Sequence, residues 1–195
     1  GSAYVFEKPE TGWIGMNETA RLTASGWTPV DLFGYSVSIS GDTVVIGAWG
    51  DDDSGNESGS AYVFEKPETG WIGMNETARL TASGWTPVDL FGYSVSISGD
   101  TVVVGAAGDD PGGSAYLFER DAGGSGNWGQ VAKLTASDGA EWDSFGFSVS
   151  ISGDTVVIGA FRDDDSGSNS GSAYVFVEFE PVAWVYLPLV VRCAP

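Results

Sequence analysis

The chain has 195 residues, enough for one domain or a short repeat array, and carries 27 acidic against 8 basic side chains, a formal net charge of -19. A field of that sign repels phosphate backbones and anionic lipid, which excludes nucleic acid and membrane surfaces as partners and favours cations and cationic partners. There is no histidine, so Ser-His-Asp and Cys-His chemistry is excluded, and the lone Cys193 cannot form an internal disulfide.

The dominant feature is internal repetition. Gly1 to Ala48 recurs as Gly59 to Ala106 with one change, Ile46 to Val104, and divergent copies start at Gly113 and Gly171. The opening residues Gly1 to Ser25 correspond to the second half of one unit. Tyr35 to Ser40 then alternates apolar and polar residues with period two, the pattern of a half-buried strand. Gly41 and Asp42 form a tight turn into the β-branched Thr43 to Ala48, so the pair predicts a hairpin. In that turn Asp42, and Asp100 and Asp154 in later copies, are read as turn residues that tolerate left-handed conformations.

An acidic Gly/Ser loop, Trp49 to Ser58, leads to a third strand over Ser60 to Glu65 and a fourth over Thr77 to Ser83. No segment has a helical period. Four strands per unit is the content of one propeller blade, which must stack on neighbours to bury its apolar residues. The sequence therefore predicts an all-β chain of about three blades in an incomplete ring. Residues 1–25 are half a blade, 31–83 and 89–137 are blades, and 143–178 is a partial blade. The tail, 179–195, is a candidate last strand. Val37, Ile39, Val44, Ile46, Tyr62 and Phe64 are the expected packing residues of one blade.

"LFGYSVSISGDTVVIGA" (Leu32 to Ala48) resembles the FG-GAP repeat, with Phe33-Gly34 and Gly47-Ala48 as the two halves of the motif. The motif recurs at Phe91-Gly92 with Gly105-Ala106 and at Phe145-Gly146 with Gly159-Ala160. The resemblance implies a propeller like that of integrin α chains and bacterial surface proteins, hence a secreted or cell-surface binding module. Integrin-type repeats bind calcium in a D-x-D-x-D-G loop between the first two strands. Here that connection is only Ser40 to Thr43, and one carboxylate cannot supply the six to eight oxygens calcium takes, so those sites are not carried over.

Strand reversal puts the second-to-third and fourth-to-first loops on one side. The former hold Asp51, Asp52, Asp53 and Glu57, then Asp109 and Asp110, then Asp163, Asp164 and Asp165. Three readings stand: a solvated rim, an irregular Ca²⁺ site, and a docking surface for a basic partner. The fourth-to-first loops hold Trp27 and Asp31, Trp85 and Asp89, and Trp142 and Asp143, the candidates for the ligand face. Indoles there either stack on a glycan or protein ligand or cover the core of their own blade, and placement once per repeat favours packing.

Catalysis is not expected, because the carboxylates recur by blade and form no single constellation. The start at Gly1, within a repeat, leads us to expect further blades and an export signal upstream. The isolated arc is expected to self-associate through open blade edges. The ending from Pro181 to Pro195 resembles the termini of some secreted bacterial proteins.

Overall fold

The computed structural model describes residues 1–177 and 191–192, and all regular structure there is β. Strands β1 (Ala3–Val5) and β2 (Ala20–Leu22) form a two-stranded sheet. Three four-stranded antiparallel sheets follow. The first joins β3 (Ser36–Ser40), β4 (Thr43–Ala48), β5 (Ser60–Glu65) and β6 (Ala78–Leu80). The second joins β7 (Phe91–Ser98), β8 (Thr101–Ala106), β9 (Ser114–Glu119) and β10 (Gly129–Leu134). The third joins β11 (Phe145–Ser152), β12 (Thr155–Ala160), β13 (Ser172–Val177) and β14 (Val191–Arg192). Each is a meander in chain order, the form of a propeller blade. The rest of the tail lies outside the described residues. β14 pairs with β13, Val191 opposite Ala173.

The turns between the first and second strands place left-handed φ at Gly41, Gly99 and Gly153 (54°, 57° and 53°). Asp42, Asp100 and Asp154, read as turn residues tolerant of that conformation, lie in these turns without adopting it. Glycine takes this conformation without a Cβ penalty, so it absorbs the turn.

Sheets stack in chain order through three apolar clusters. Val5 and Leu22 pack with Val44, Ile46, Tyr62 and Phe64. Val45, Ala61 and Val63 pack with Val95, Ile97, Val104 and Phe118. Val103, Ala115 and Leu117 pack with Ile151, Val156, Ile158 and Phe176. A sheet with two apolar faces is covered only by this stacking.

The repeated motif has a packing explanation. Phe91 sets its ring edge-on to Tyr116 and Phe118, with centroids 5.6 and 5.9 Å away. Phe33 and Phe145 repeat the arrangement on Tyr62 with Phe64 and on Tyr174 with Phe176. The two glycines of the motif meet across the blade interface. A Cβ on Gly47 would lie 2.0 Å from the Gly92 carbonyl oxygen, and one on Gly92 would lie 2.2 Å from that of Ser60. Gly105 and Gly146 repeat the contact at 2.0 Å. Glycine is required where backbones approach this closely.

Serines stitch the innermost strands together. Ser36 Oγ donates to Gly92 O (2.9 Å), while Ser38 and Ser40 accept from Ile97 N (3.2 Å) and Gly99 N (3.0 Å). Ser94, Ser96 and Ser98 make the same bonds to Gly146, Ile151 and Gly153. The polar half of the alternating pattern is thus an interface element.

Val44, Ile46, Tyr62 and Phe64 are buried as expected, but Val37 and Ile39 are each 60% exposed. Their counterparts Val95 and Ile97 are only 8% and 5% exposed. On the face of β3–β6 opposite β7–β10 the packed sheet has only two strands, β1 and β2, and these cover β4 and β5 but not β3.

Candidate functional site

The second-to-third loop of one blade touches the fourth-to-first connection into the next. Val88 N donates to Asn56 O (2.9 Å), Leu90 N to Glu57 O and Phe91 N to Ser58 O (both 3.2 Å). These two loop sets therefore share one side of the molecule.

On that side the aspartates divide by role. Asp31, Asp89 and Asp143 are buried and cap their own turns. Asp31 accepts from Thr28 N (2.6 Å) and Thr28 Oγ1 (2.5 Å), and Asp89 accepts from the same two groups of Thr86 (both 2.5 Å). Asp143 accepts from Ala140 N (2.7 Å). Burial raises the Asp89 and Asp143 carboxyls above the usual carboxylate range, opposed by these hydrogen bonds. These three of the expected ligand-face residues thus turn inward.

Asp51, Asp109 and Asp163 are also buried, each accepting from the tyrosine hydroxyl of its own third strand. Tyr62 reaches Asp51 at 2.5 Å, Tyr116 reaches Asp109 at 2.6 Å and Tyr174 reaches Asp163 at 2.8 Å. Burial first, and the carboxylate bond second, push all three phenols up. Arg79 also bridges Asp51 (3.0 Å) and Asp53 (2.6 Å), and Lys133 holds Asp109 (2.8 Å). Asp51 Oδ1 takes the Asp53 N–H as well. Of the carboxylates considered for metal, Asp52, Asp53, Asp110, Asp164 and Asp165 are exposed and Glu57 is half-buried. Among the described residues no three carboxylates converge to hold a metal ion.

The tryptophans do not roof their cores. Trp27 and Trp142 are 66% and 76% exposed, and Trp85 leans on Gly55. Trp142 is not the counterpart of Trp27 and Trp85. Counting from the capping aspartates, it occupies the place of Val30 and Val88, and it shares their left-handed backbone (φ 76°, against 80° and 72°). Away from this side, Trp71 and Trp128 are buried while Trp13 is exposed.

Between the second and third complete blades the loop side opens into a cavity of about 570 Å³, within the range of small-ligand sites. Tyr93, Trp142, Phe147 and Phe161 give it aromatic walls, with Glu141 and Arg162 among its charged groups. Aromatic residues not anticipated from sequence form a row here. Tyr35 lies 4.9 Å from Tyr93, Tyr93 lies 5.0 Å from Phe147, and Phe147 lies 4.3 Å from Phe161. The available signal was the aromatic following each Phe-Gly pair. Arg162 stands where the other blades have Gly50 and Gly108. Its guanidinium lies 5.0 Å from the Phe161 centroid and makes no ion pair among the described residues.

Among the described residues no helix is long and apolar enough to cross a membrane. No curated protein is significantly similar to the chain. A family model described as FG-GAP repeat matches three times, over residues 16–64, 74–118 and 128–176, each span running from a fourth strand through the next blade's third. With that match over most of its length, and with each Phe-Gly and Gly-Ala pair seated at a blade interface, the chain belongs to the FG-GAP repeat family and is a β-propeller-type module.

Proposed function

We propose that this is a non-catalytic extracellular or cell-surface binding module that engages a protein or glycan ligand through its acidic, aromatic loop side. The observation that carries the reading is the cavity walled by Trp142, Phe147 and Phe161. Large rings left in water beside a concave site are the usual anchors of recognition, because they contribute contact area with few rotors to immobilise. Phe147 lies against both Tyr93 and Phe161, which holds these rings in place before a ligand arrives. The left-handed backbone at Val88, Leu90, Trp142 and Ser144 around the same cavity is strain of the kind that gathers at ligand-binding loops.

A glycan array and a pull-down from extracellular extracts test this, comparing the unaltered chain with Trp142→Ala, Phe161→Ala and, as a control on another loop, Glu68→Gln. Binding is expected to fall about tenfold or more for each aromatic change, roughly the loss of one anchor, and to be unaffected by Glu68→Gln. Equal binding by all four proteins would overturn the assignment of the site.

A further inference from the structure

The loop side is filled between β3–β6 and β7–β10 but open between β7–β10 and β11–β14. At the first interface the residue after the Gly-Ala pair is Trp49. Its ring is the third corner of a cluster with Tyr35 (5.8 Å) and Tyr93 (6.1 Å), which are themselves 4.9 Å apart. At the second interface Tyr93 and Phe147 repeat the pair at 5.0 Å, but the residue after Gly-Ala is Ala107. A methyl group cannot fill the place of an indole, and Tyr93, Ala107 and Phe147 all line the cavity of about 570 Å³.

The backbone at the two interfaces differs in the same sense. At the first, Val88 N, Leu90 N and Phe91 N donate to Asn56 O, Glu57 O and Ser58 O. At the second, the loop spans residues 107–112 where the first spans 49–58, and only the last bond has a counterpart, Phe145 N to Gly112 O (2.8 Å). Trp142 and Ser144 stand in the places of Val88 and Leu90 with the same left-handed backbone (φ 76° and 59°, against 72° and 58°). Both line the cavity, and among the described residues no carbonyl accepts from their N–H groups. Main-chain donors of this kind are satisfied by carbonyl oxygens, which a peptide supplies at every residue.

We propose that this cavity takes an aromatic side chain from an extended segment of a protein partner, its ring in the corner that Trp49 fills at the first interface and its carbonyl oxygens on Trp142 N and Ser144 N. The inference rests on the cavity being the binding site and names its occupant. Trp49 also decides between a peptide and a sugar. Its indole N–H is buried with no acceptor among the described residues, so this corner holds a ring as an apolar body. A pyranose there would bury hydroxyls without partners, which is costly. Arg162 lines the same cavity and makes no ion pair among the described residues, so a carboxylate beside the ring is the complementary charge.

Saturation-transfer NMR of the whole chain with the acetylated, amidated tetrapeptide Gly-Glu-Trp-Gly is expected to show saturable contact, strongest at the indole protons. Affinity is expected to fall about tenfold or more when the peptide carries Ala in place of Trp, and by a smaller factor with Gln in place of Glu. Ala107→Trp copies the filled corner of the first interface, and is expected to keep the β circular dichroism and lose the contact. Should it fail to fold, Ala107→Phe is read instead, since Phe161 already places that ring after its own Gly-Ala pair. Should both fail, the comparison of peptides on the unaltered chain decides. No contact with the Trp peptide, equal affinity for the Ala peptide, or unchanged affinity in a folded Ala107→Trp overturns the proposal, and equal affinity for the Gln peptide overturns the part given to Arg162. A glycan whose binding is lost in Trp142→Ala but kept in Ala107→Trp leaves the binding site standing and overturns only the occupant named here.

Discussion

Tyr62 and Asp51 meet at 2.5 Å between the third strand and the loop that precedes it, and the same pair recurs as Tyr116 with Asp109 and Tyr174 with Asp163. The bond fastens each acidic loop to its own blade. Tyr62→Phe leaves a buried carboxylate short of a donor and is expected to cost about 1–3 kcal/mol by urea unfolding. Asp52→Asn, at an exposed neighbour without such a bond, is expected to change stability by less than about 0.5 kcal/mol. Equal effects would remove the distinction between the two aspartates.

The tyrosine bonds set a pH dependence. All three phenols are raised from the ordinary value of 10.0, by burial first and the carboxylate second. Above that value the unfolded chain ionises these phenols while the fold keeps them protonated, so the unfolded state binds fewer protons and stability falls as pH rises. Below it this contribution is fully present. Melting temperature is therefore expected to decline progressively from about pH 10 upward. The decline should be shallower in Tyr116→Phe, and a flat profile would contradict the burial of these hydroxyls.

Asp89 and Asp143 act in the acid range. Their folded carboxyls are raised by burial, so the fold binds protons that the unfolded chain has released, and stability increases as pH falls toward the ordinary carboxylate value. Urea titration of Asp89→Asn against the unaltered chain is expected to show this gain reduced in the variant.

Substitution at two glycines separates turn strain from blade contact. Gly99→Ala has open space around its Cβ and is expected to cost about 1–2 kcal/mol for the left-handed backbone alone. Gly92→Ala adds a carbonyl oxygen 2.2 Å from the new carbon, so the blades must separate. It is expected to lose several times as much or to fail to fold, as read by denaturant midpoint. Similar midpoints would show that the interface yields.

Calcium is a direct test of the acidic loops. Since Asp51 and Asp109 already spend oxygens on tyrosine, arginine or lysine, melting temperature is expected to be the same in calcium as in chelator. An ion at a hundred times its dissociation constant would add about 2.7 kcal/mol, an easily seen rise that would restore the metal reading.

Sequence alone determined the repeat, the four-strand content of each unit and the hairpin turns, because period-two patterning and glycine placement are local properties. It also put the acidic residues and Trp27, Trp85 and Trp142 in their loops without distinguishing their positions there. Only the tertiary structure decided what those residues do. Asp31 and Asp52 are the same residue type in neighbouring loops, yet one caps a turn and the other faces water. Trp142 matches Trp27 in name but occupies the place of Val30. Val37 matches Val95 in every local respect, and only the presence or absence of a neighbouring strand separates exposure from burial. Burial depends on which segments stack, and stacking joins residues more than fifty positions apart, beyond the reach of any local pattern.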